Sequence, residues 1–244
     1  MLPYRDDNPT LATPIATVLL IATNVLVWVI VQGAGAEPLL SRSVCELGLI
    51  PGEYLHRVAE GTTLPMGQGM SCVLSHSHWF TPISAMFLHG SWLHLIGNMW
   101  FLWLFGNNVE DSMGRGRYIA FYLLCGLAAA ATQTLLNADS AVPMVGASGA
   151  IGGVMGAYVV LYPRVRVHLL VLPFFFRIVV PAFLMLGYWF VLQLVSGTAA
   201  LGAGAMGGVA FWAHVGGFLA GVILIWFFRD PALVAQHRAL ARVV

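Results

Sequence analysis

The sequence has no lysine, and charge of either sign is scarce: eleven basic residues, all arginine, and ten acidic ones leave charged types at 9% of 244 residues. An ordinary soluble domain carries about 25% charged residues, and a soluble fold of this size could not cover its surface with so few. Hydrophobic types make up 59% and the mean hydropathy is +0.83, so the expected solvent for most of the chain is lipid. The near-zero net charge of +1 and the lack of any basic run argue against a nucleic-acid partner. No secretory signal is expected, because MLPYRDDNPT holds two acids beside one arginine and precedes an apolar run too long for cleavable architecture. We read it as a short cytoplasmic lead-in to one membrane domain over residues 1–244, without a further domain or a seventh span.

A spanning helix needs about 20 mostly apolar residues. Six candidates lie near 12–32, 83–106, 117–136, 145–162, 179–197 and 208–228. The fourth is short and glycine-rich, suited to being surrounded by protein rather than lipid. A further piece, Val167 to Phe176, is broken by Pro173 and reads as interfacial rather than spanning. With the N-terminus inside, six spans place Arg5, Arg115, Arg117, Arg164, Arg166, Arg177, Arg229, Arg238 and Arg242 inside and only Arg42 and Arg57 outside. That asymmetry follows the positive-inside rule, and five or seven spans would spoil it. The expected fold is therefore an all-α, multi-pass bundle of six transmembrane helices, N-in and C-in, with one long outer loop near 33–82 and short tails. Cys45 and Cys72 share that loop and could pair in an oxidising compartment or stay as free thiols.

Polar groups at membrane depth are expensive and functional by default. The second span carries His89, His94 and Asn98, the fourth carries Ser148, and the sixth carries His214. No carboxylate lies in the middle of a span; Glu110 and Asp111 sit at the inner end of the second, and Asp139 in an outer loop. The absences separate reaction classes. Zinc hydrolysis needs a ligand set such as H-E-x-x-H, and a paired-aspartate mechanism needs two buried carboxylates; neither is present, and no metal or other cofactor is expected. What remains is a hydroxyl, which is a weak nucleophile until a base takes its proton, and an imidazole, whose proton affinity suits that task.

The expected topology puts these residues in the outer half of the bundle. Ser148 lies near the outer start of the fourth span and His214 about two turns into the sixth, while His94 and Asn98, four apart, share a helix face. Small residues recur four apart in the fourth span (Gly149 and Gly153, Gly152 and Gly156) and in the sixth (Gly217 and Gly221, Gly216 and Ala220). Such faces let membrane helices approach closely, which would bring Ser148 to His214. Each residue also has a plain reading: a serine bonded to its own helix backbone, a structural histidine, glycines for packing alone. A solute channel would use the same residues as a path lining, but the inner half of the bundle is apolar.

Together these motifs resemble the rhomboid family of intramembrane serine proteases. HGSWLHLIGN is similar to its H-x4-H-x3-N on the second span, GASG to its nucleophile motif and AHVGG followed by FLAG to its general-base motif. The resemblance implies a six-helix bundle with a short fourth helix below a wet outer cavity, and a Ser–His dyad without an acid. It implies Ser148 as nucleophile, His214 as base, and His94, Asn98 and the Ser148 N–H as the oxyanion hole, with His89, Gly146 and Gly149 in support. It also implies transmembrane protein substrates in a lipid bilayer, a gate between the second and fifth spans, and a bacterial inner-membrane location; the family alternative is a non-catalytic member that binds membrane helices. The segment Ser196 to Gly208 is either a mobile cap over the site or a flexible turn. Two departures are visible. The first loop reads HSHWFTPIS, without the Trp-Arg pair of well-studied members, and Gly152 stands where some members stack an aromatic on the catalytic imidazole. Orientation of that ring is then expected to fall to other neighbours, Tyr188 or Trp189 among them.

Overall fold

The computed structural model describes residues 1–67, 70–74, 78–171, 173–203 and 209–240. It is mostly helical. The first apolar segment forms α1 (Ile15–Leu26), continued by a π-helical turn over Val27–Val31. The long loop that follows holds α2 (Leu39–Leu47), α3 (Pro51–Tyr54) and a hairpin of β2 (Thr63–Gly67) and β3 (Met70–Val73); β1 (Leu2–Asp6) lies at the N-terminus. A short α4 (Thr81–Ser84) and a 3-10 turn over Ala85–Phe87 precede α5 (Trp92–Met113). There follow α6 (Arg115–Leu136), α7 (Ser148–Leu161), β4 (Arg166–Val171), β5 (Phe176–Pro181), α8 (Ala182–Ala203), α9 (Phe211–Phe228) and α10 (Pro231–Leu240). By length and composition, α6, α9 and Ala182–Leu201 of α8 can cross a membrane, and the α1 segment and α7 are shorter apolar helices.

Three expectations are corrected. The fold is not purely all-α: β1, β4 and β5 form a three-stranded antiparallel sheet, so the lead-in and the Val167–Phe176 piece are sheet strands. The physical reason is the alternation in RVHLLV, which buries Val167 and Leu169 on one face. The main helix of the second segment starts at Trp92, not 83, because the Ser91 hydroxyl accepts the His94 N–H at 3.1 Å and caps it there. Finally, residues 196–203 continue α8 as helix, and 204–208, the rest of the expected cap or turn, lie outside the described residues. The short fourth helix is enclosed by protein, with every residue from Gly149 to Tyr158 buried.

Glu110 and Asp111 have a structural task. The start of α1 leaves orphan N–H donors and a partial positive charge. Glu110 accepts from Ala16 N at 3.0 Å and from Thr17 N and Thr17 Oγ1 at 2.8 Å each, and Asp111 accepts from Leu11 N at 2.7 Å and Ala12 N at 3.2 Å. The N-terminal strand is tied to the C-terminal part of α7 through Asp6, which accepts the hydroxyl proton of Tyr158. Burial pushes the Asp6 carboxyl up to about 6, against the opposing hydrogen bond from Tyr158. The sign follows: folding favours the protonated acid, so this contribution to stability is present at low pH and is lost as pH rises from about 4, where an unfolded aspartate titrates, to about 6. We expect Asp6→Asn to remove that slope from the pH dependence of the melting temperature between these values.

A disulfide joins Cys45 to Cys72, closing a sequence separation of 27 residues. It holds α2 to β3, and this loop in turn braces the segment ahead of α7. Leu49 N donates to Met144 O (3.1 Å), Met144 N to Leu49 O (2.7 Å), and Gly52 N to Ser140 O (2.8 Å). Closing a loop of this length restricts the unfolded chain by roughly 3–4 kcal/mol. The paired Cys45→Ser, Cys72→Ser variant is expected to melt lower by that free energy while retaining its helical circular dichroism.

Candidate active site

Ser148 is the first residue of α7 and His214 lies one turn inside α9. The two helices meet through glycine. A methyl built on Gly217 would fall on the Gly149 carbonyl oxygen, and one built on Gly221 on the Gly153 carbonyl. Any larger residue at these positions pushes backbone from backbone. This approach brings Ser148 Oγ to 2.7 Å from His214 Nε2. The start of α9 is fixed by a partner absent from the sequence reading: Gln133 on α6 accepts Ala213 N–H at 3.1 Å, satisfying one of the orphan donors of that end.

Gly146 supplies the turn into α7. Its φ of +129° is open only to glycine, and a Cβ there would sit 2.8 Å from both Cε1 and Nε2 of His94. Its N–H donates to Ala85 O at 2.8 Å. Gly149 is equally confined, since a Cβ would be 2.6 Å from the Ala129 methyl. These contacts set His94 beside the turn that carries Ser148. His94 Nδ1 accepts Gly90 N–H at 3.4 Å, which leaves Nε2 as the protonated nitrogen, the one nearest Gly146. Asn98, one turn further on the same face, is buried, and its Nδ2 has no hydrogen-bond partner among the described residues. Buried donors are normally paired, so an unpaired amide lining the same cavity as Ser148 could receive negative charge there. His89 is fully buried behind His94, ring edge to ring face at 5.1 Å. Gln32, at the end of the α1 segment, clamps its backbone twice, accepting His89 N–H at 2.7 Å and donating to His89 O at 2.8 Å.

The imidazole of His214 has two further neighbours, both on α8. Trp189 lies with its ring centroid 5.7 Å away at 36°, and Gln193 places Oε1 2.8 Å from Nδ1. Of the two aromatics considered from sequence, Trp189 takes the place and Tyr188 is 60% exposed. Gln193, Gln133 and Gln32 were missed because the sequence reading weighed ionisable groups. A lone amide in an apolar span was the available signal. Ser148, His94, Asn98, Gln133, Trp189 and His214 all line one cavity of about 980 Å³ at the end of the bundle that carries the disulfide loop. Of the aromatic stretch that replaces the Trp-Arg pair, Trp79 is 80% exposed, and residues 76 and 77 lie outside the described residues.

The family model of the Rhomboid domain matches residues 76–231. Rhomboid protein 1, mitochondrial, of Saccharomyces cerevisiae is 31% identical over 163 residues, covering 65% of this chain and 44% of the yeast protein. Rhomboid-like protein 11, chloroplastic, of Arabidopsis thaliana is 32% identical over 157 residues, 61% of this chain and 52% of that protein. Rhomboid protease GluP of Bacillus subtilis is 32% identical over 105 residues, 42% and 20% of the two chains. The chain thus spans about half or less of the length of these relatives. Two of the three are organellar by name, so the expectation of a bacterial inner membrane draws no support from them. A domain match over more than half of the residues, together with a serine and an imidazole joined at the head of a glycine-packed helix pair, places this chain in the rhomboid family of multi-pass membrane proteins.

Proposed function

We propose that this protein is an intramembrane serine endopeptidase that cuts the transmembrane segment of single-span proteins near the outer face. The observation that carries this reading is the 2.7 Å contact between Ser148 Oγ and His214 Nε2 within a cavity. In the proposed reaction, His214 Nε2 takes the proton of Ser148 as Oγ attacks the scissile carbonyl carbon. The oxyanion that forms is held by His94 Nε2–H, Asn98 Nδ2–H and the Ser148 N–H, the last strengthened by its place at a helix N-terminus. His214 then gives its proton to the leaving amine as the C–N bond breaks. Water from the cavity, deprotonated by the same imidazole, attacks the acyl ester and frees Ser148. His89, Gly146 and Gly149 hold His94 and Ser148 in place and do not themselves react.

The proposed topology is six spans, N-in and C-in, formed by the α1 segment and by α5, α6, α7, α8 and α9. The arginine asymmetry supports it. A substrate helix hides its peptide bonds, so it must unwind locally to reach Ser148, and helix-weakening residues near the cut lower that cost. Its approach is proposed beside α8, the least covered helix: 11% of its most apolar window is buried, against 39% for α6 and for α9. The test is cleavage of a reporter helix in liposomes, with the cut mapped by mass spectrometry. The expected product is cut within the outer third of the helix by wild type and not by Ser148→Ala. Binding of the helix without cleavage would instead support a non-catalytic member of the family.

A further inference from the structure

We propose that Gln193 is a positioning residue for the base: from α8, it fixes both the tautomer and the plane of the His214 imidazole. The inference rests on the protease reading and deepens it by making the competence of the site depend on a third helix.

The reasoning begins with the imidazole. A neutral ring has one donor nitrogen and one acceptor nitrogen. Only the tautomer with the proton on Nδ1 has a lone pair on Nε2 to receive the Ser148 proton. A Ser–His pair with nothing on Nδ1 leaves that choice open. Here an amide oxygen stands 2.8 Å from Nδ1 while Ser148 Oγ stands 2.7 Å from Nε2. The amide oxygen can only accept, so Nδ1 donates to it and Nε2 is left free for the serine. The same bond persists when the ring becomes an imidazolium, because both nitrogens then donate.

The plane of the ring follows from the same helix. Trp189 is four residues before Gln193, one helical turn away on the same face of α8, and its ring lies against the imidazole. Space for this comes from Gly152: a Cβ there would stand 3.1 Å from the His214 carbonyl and 3.8 Å from the edge of Trp189. Ser148 from α7 meets the ring at Nε2, and two side chains from α8 meet its Nδ1 edge and its face. Yet α8 has little protein cover. The base is thereby oriented by a helix with less protein cover than α6 or α9. Any displacement of α8 that breaks the Gln193 contact releases the tautomer and slows the chemical step without altering Ser148, His94 or Asn98.

The test uses full-length protein in nanodiscs. Gln193→Met keeps the length and removes the acceptor; Gln193→Glu keeps an acceptor and adds a charge. For Gln193→Met we expect kcat on the reporter helix to fall about 10–100-fold, less than the roughly 10²–10⁴-fold of losing a general base outright, with KM unchanged within twofold. Gln193→Glu should recover most of kcat and move the acidic limb of the kcat profile to higher pH, since a carboxylate on Nδ1 favours the charged ring. The other titratable groups sharing the cavity are His94 from α5 and Asp139 from the segment after α6. A purely structural role for Gln193 would not give rescue by glutamate with a shifted limb. Independently of turnover, ¹⁵N spectra of histidine-labelled protein, with the His214 signal assigned by its loss in His214→Gln, should show the Nδ1–H tautomer in wild type and a mixture in Gln193→Met. Unchanged kcat, or an unchanged tautomer in Gln193→Met, overturns the inference. Wild-type protein that neither cleaves nor reacts with a fluorophosphonate overturns the protease reading instead, and the tautomer signal still decides the Gln193 contact.

Discussion

Ser148→Ala and His214→Ala are each expected to lower kcat by at least about 10⁴-fold, and the double variant no further. In the proposed reaction the two groups, 2.7 Å apart, act in one proton transfer, so removing either abolishes the same step and the losses do not add. KM should change little, because neither side chain is asked to hold the substrate helix. Asn98→Ala should fall less, about 10²–10³-fold, the range for loss of one oxyanion donor. That ranking separates the proposed roles. In a helix-binding protein without chemistry, none of these substitutions would alter the appearance of cleaved product. A solute channel would respond to them in flux. The measurement is single-turnover cleavage in liposomes, with circular dichroism to show that each variant stays folded.

The second large effect is expected at Gly217. A Cβ at this position would occupy the space of the Gly149 carbonyl oxygen, and a backbone atom cannot rotate away as a side-chain terminus can. Overpacking costs about 1–3 kcal/mol and more where nothing yields. Gly217→Val should lower the melting temperature by roughly 6–12 °C for a chain of this size. It should also widen the separation of α7 and α9 at the level of Ser148, and so reduce kcat more than KM. The control is Gly187→Ala on α8, where a Cβ meets nothing within 4 Å; it should shift stability by no more than about 0.5 kcal/mol. Equal effects at both positions would mean that glycine in this bundle serves helix flexibility rather than close approach.

What the sequence made legible follows physical lines. The apolar segments stand out because lipid allows no mixture of charge; α7 and α9 fall within them, while α5 and α8 run past the expected ends to Met113 and Ala203. Gly149, Gly153, Gly217 and Gly221 are readable as a packing face because nothing else explains so many helix-weakening residues in apolar runs; in the structure Gly217 and Gly221 abut the carbonyls of Gly149 and Gly153, which in turn pack on the Ala129 and Cys125 side chains. Ser148, His94, Asn98 and His214 stand out as polar groups where polarity is costly, and the fold draws them into one cavity. The sheet of β1, β4 and β5 was not legible: its strands pair Leu2 with Leu170, and His168 with Val179. Pairing across more than 160 residues has no local signature. Pro173 and the run of Phe174, Phe175 and Phe176 marked a break without saying that the chain turns back there. Gln193 was overlooked for another reason. An amide carries no charge and no motif, and its meaning comes only from the nitrogen it faces.

The outer loop shows how local and long-range features combine. Its two cysteines were visible as a pair, but their partners in space were not. The structure joins them and uses the loop they close to hold Leu49 against Met144, four residues ahead of Ser148. Ser148 is thus braced by a covalent loop, by glycine contacts between α7 and α9, and by His94 packed on Gly146.

The most direct measurement is labelling of the membrane-reconstituted protein with a fluorophosphonate, followed by peptide mapping. The expected result is one adduct, on Ser148, formed at a rate that falls sharply in His214→Ala and at acid pH where the imidazole is charged. Labelling that proceeds equally in His214→Ala, or an adduct on another residue with Ser148 untouched, would contradict activation of this hydroxyl by this imidazole.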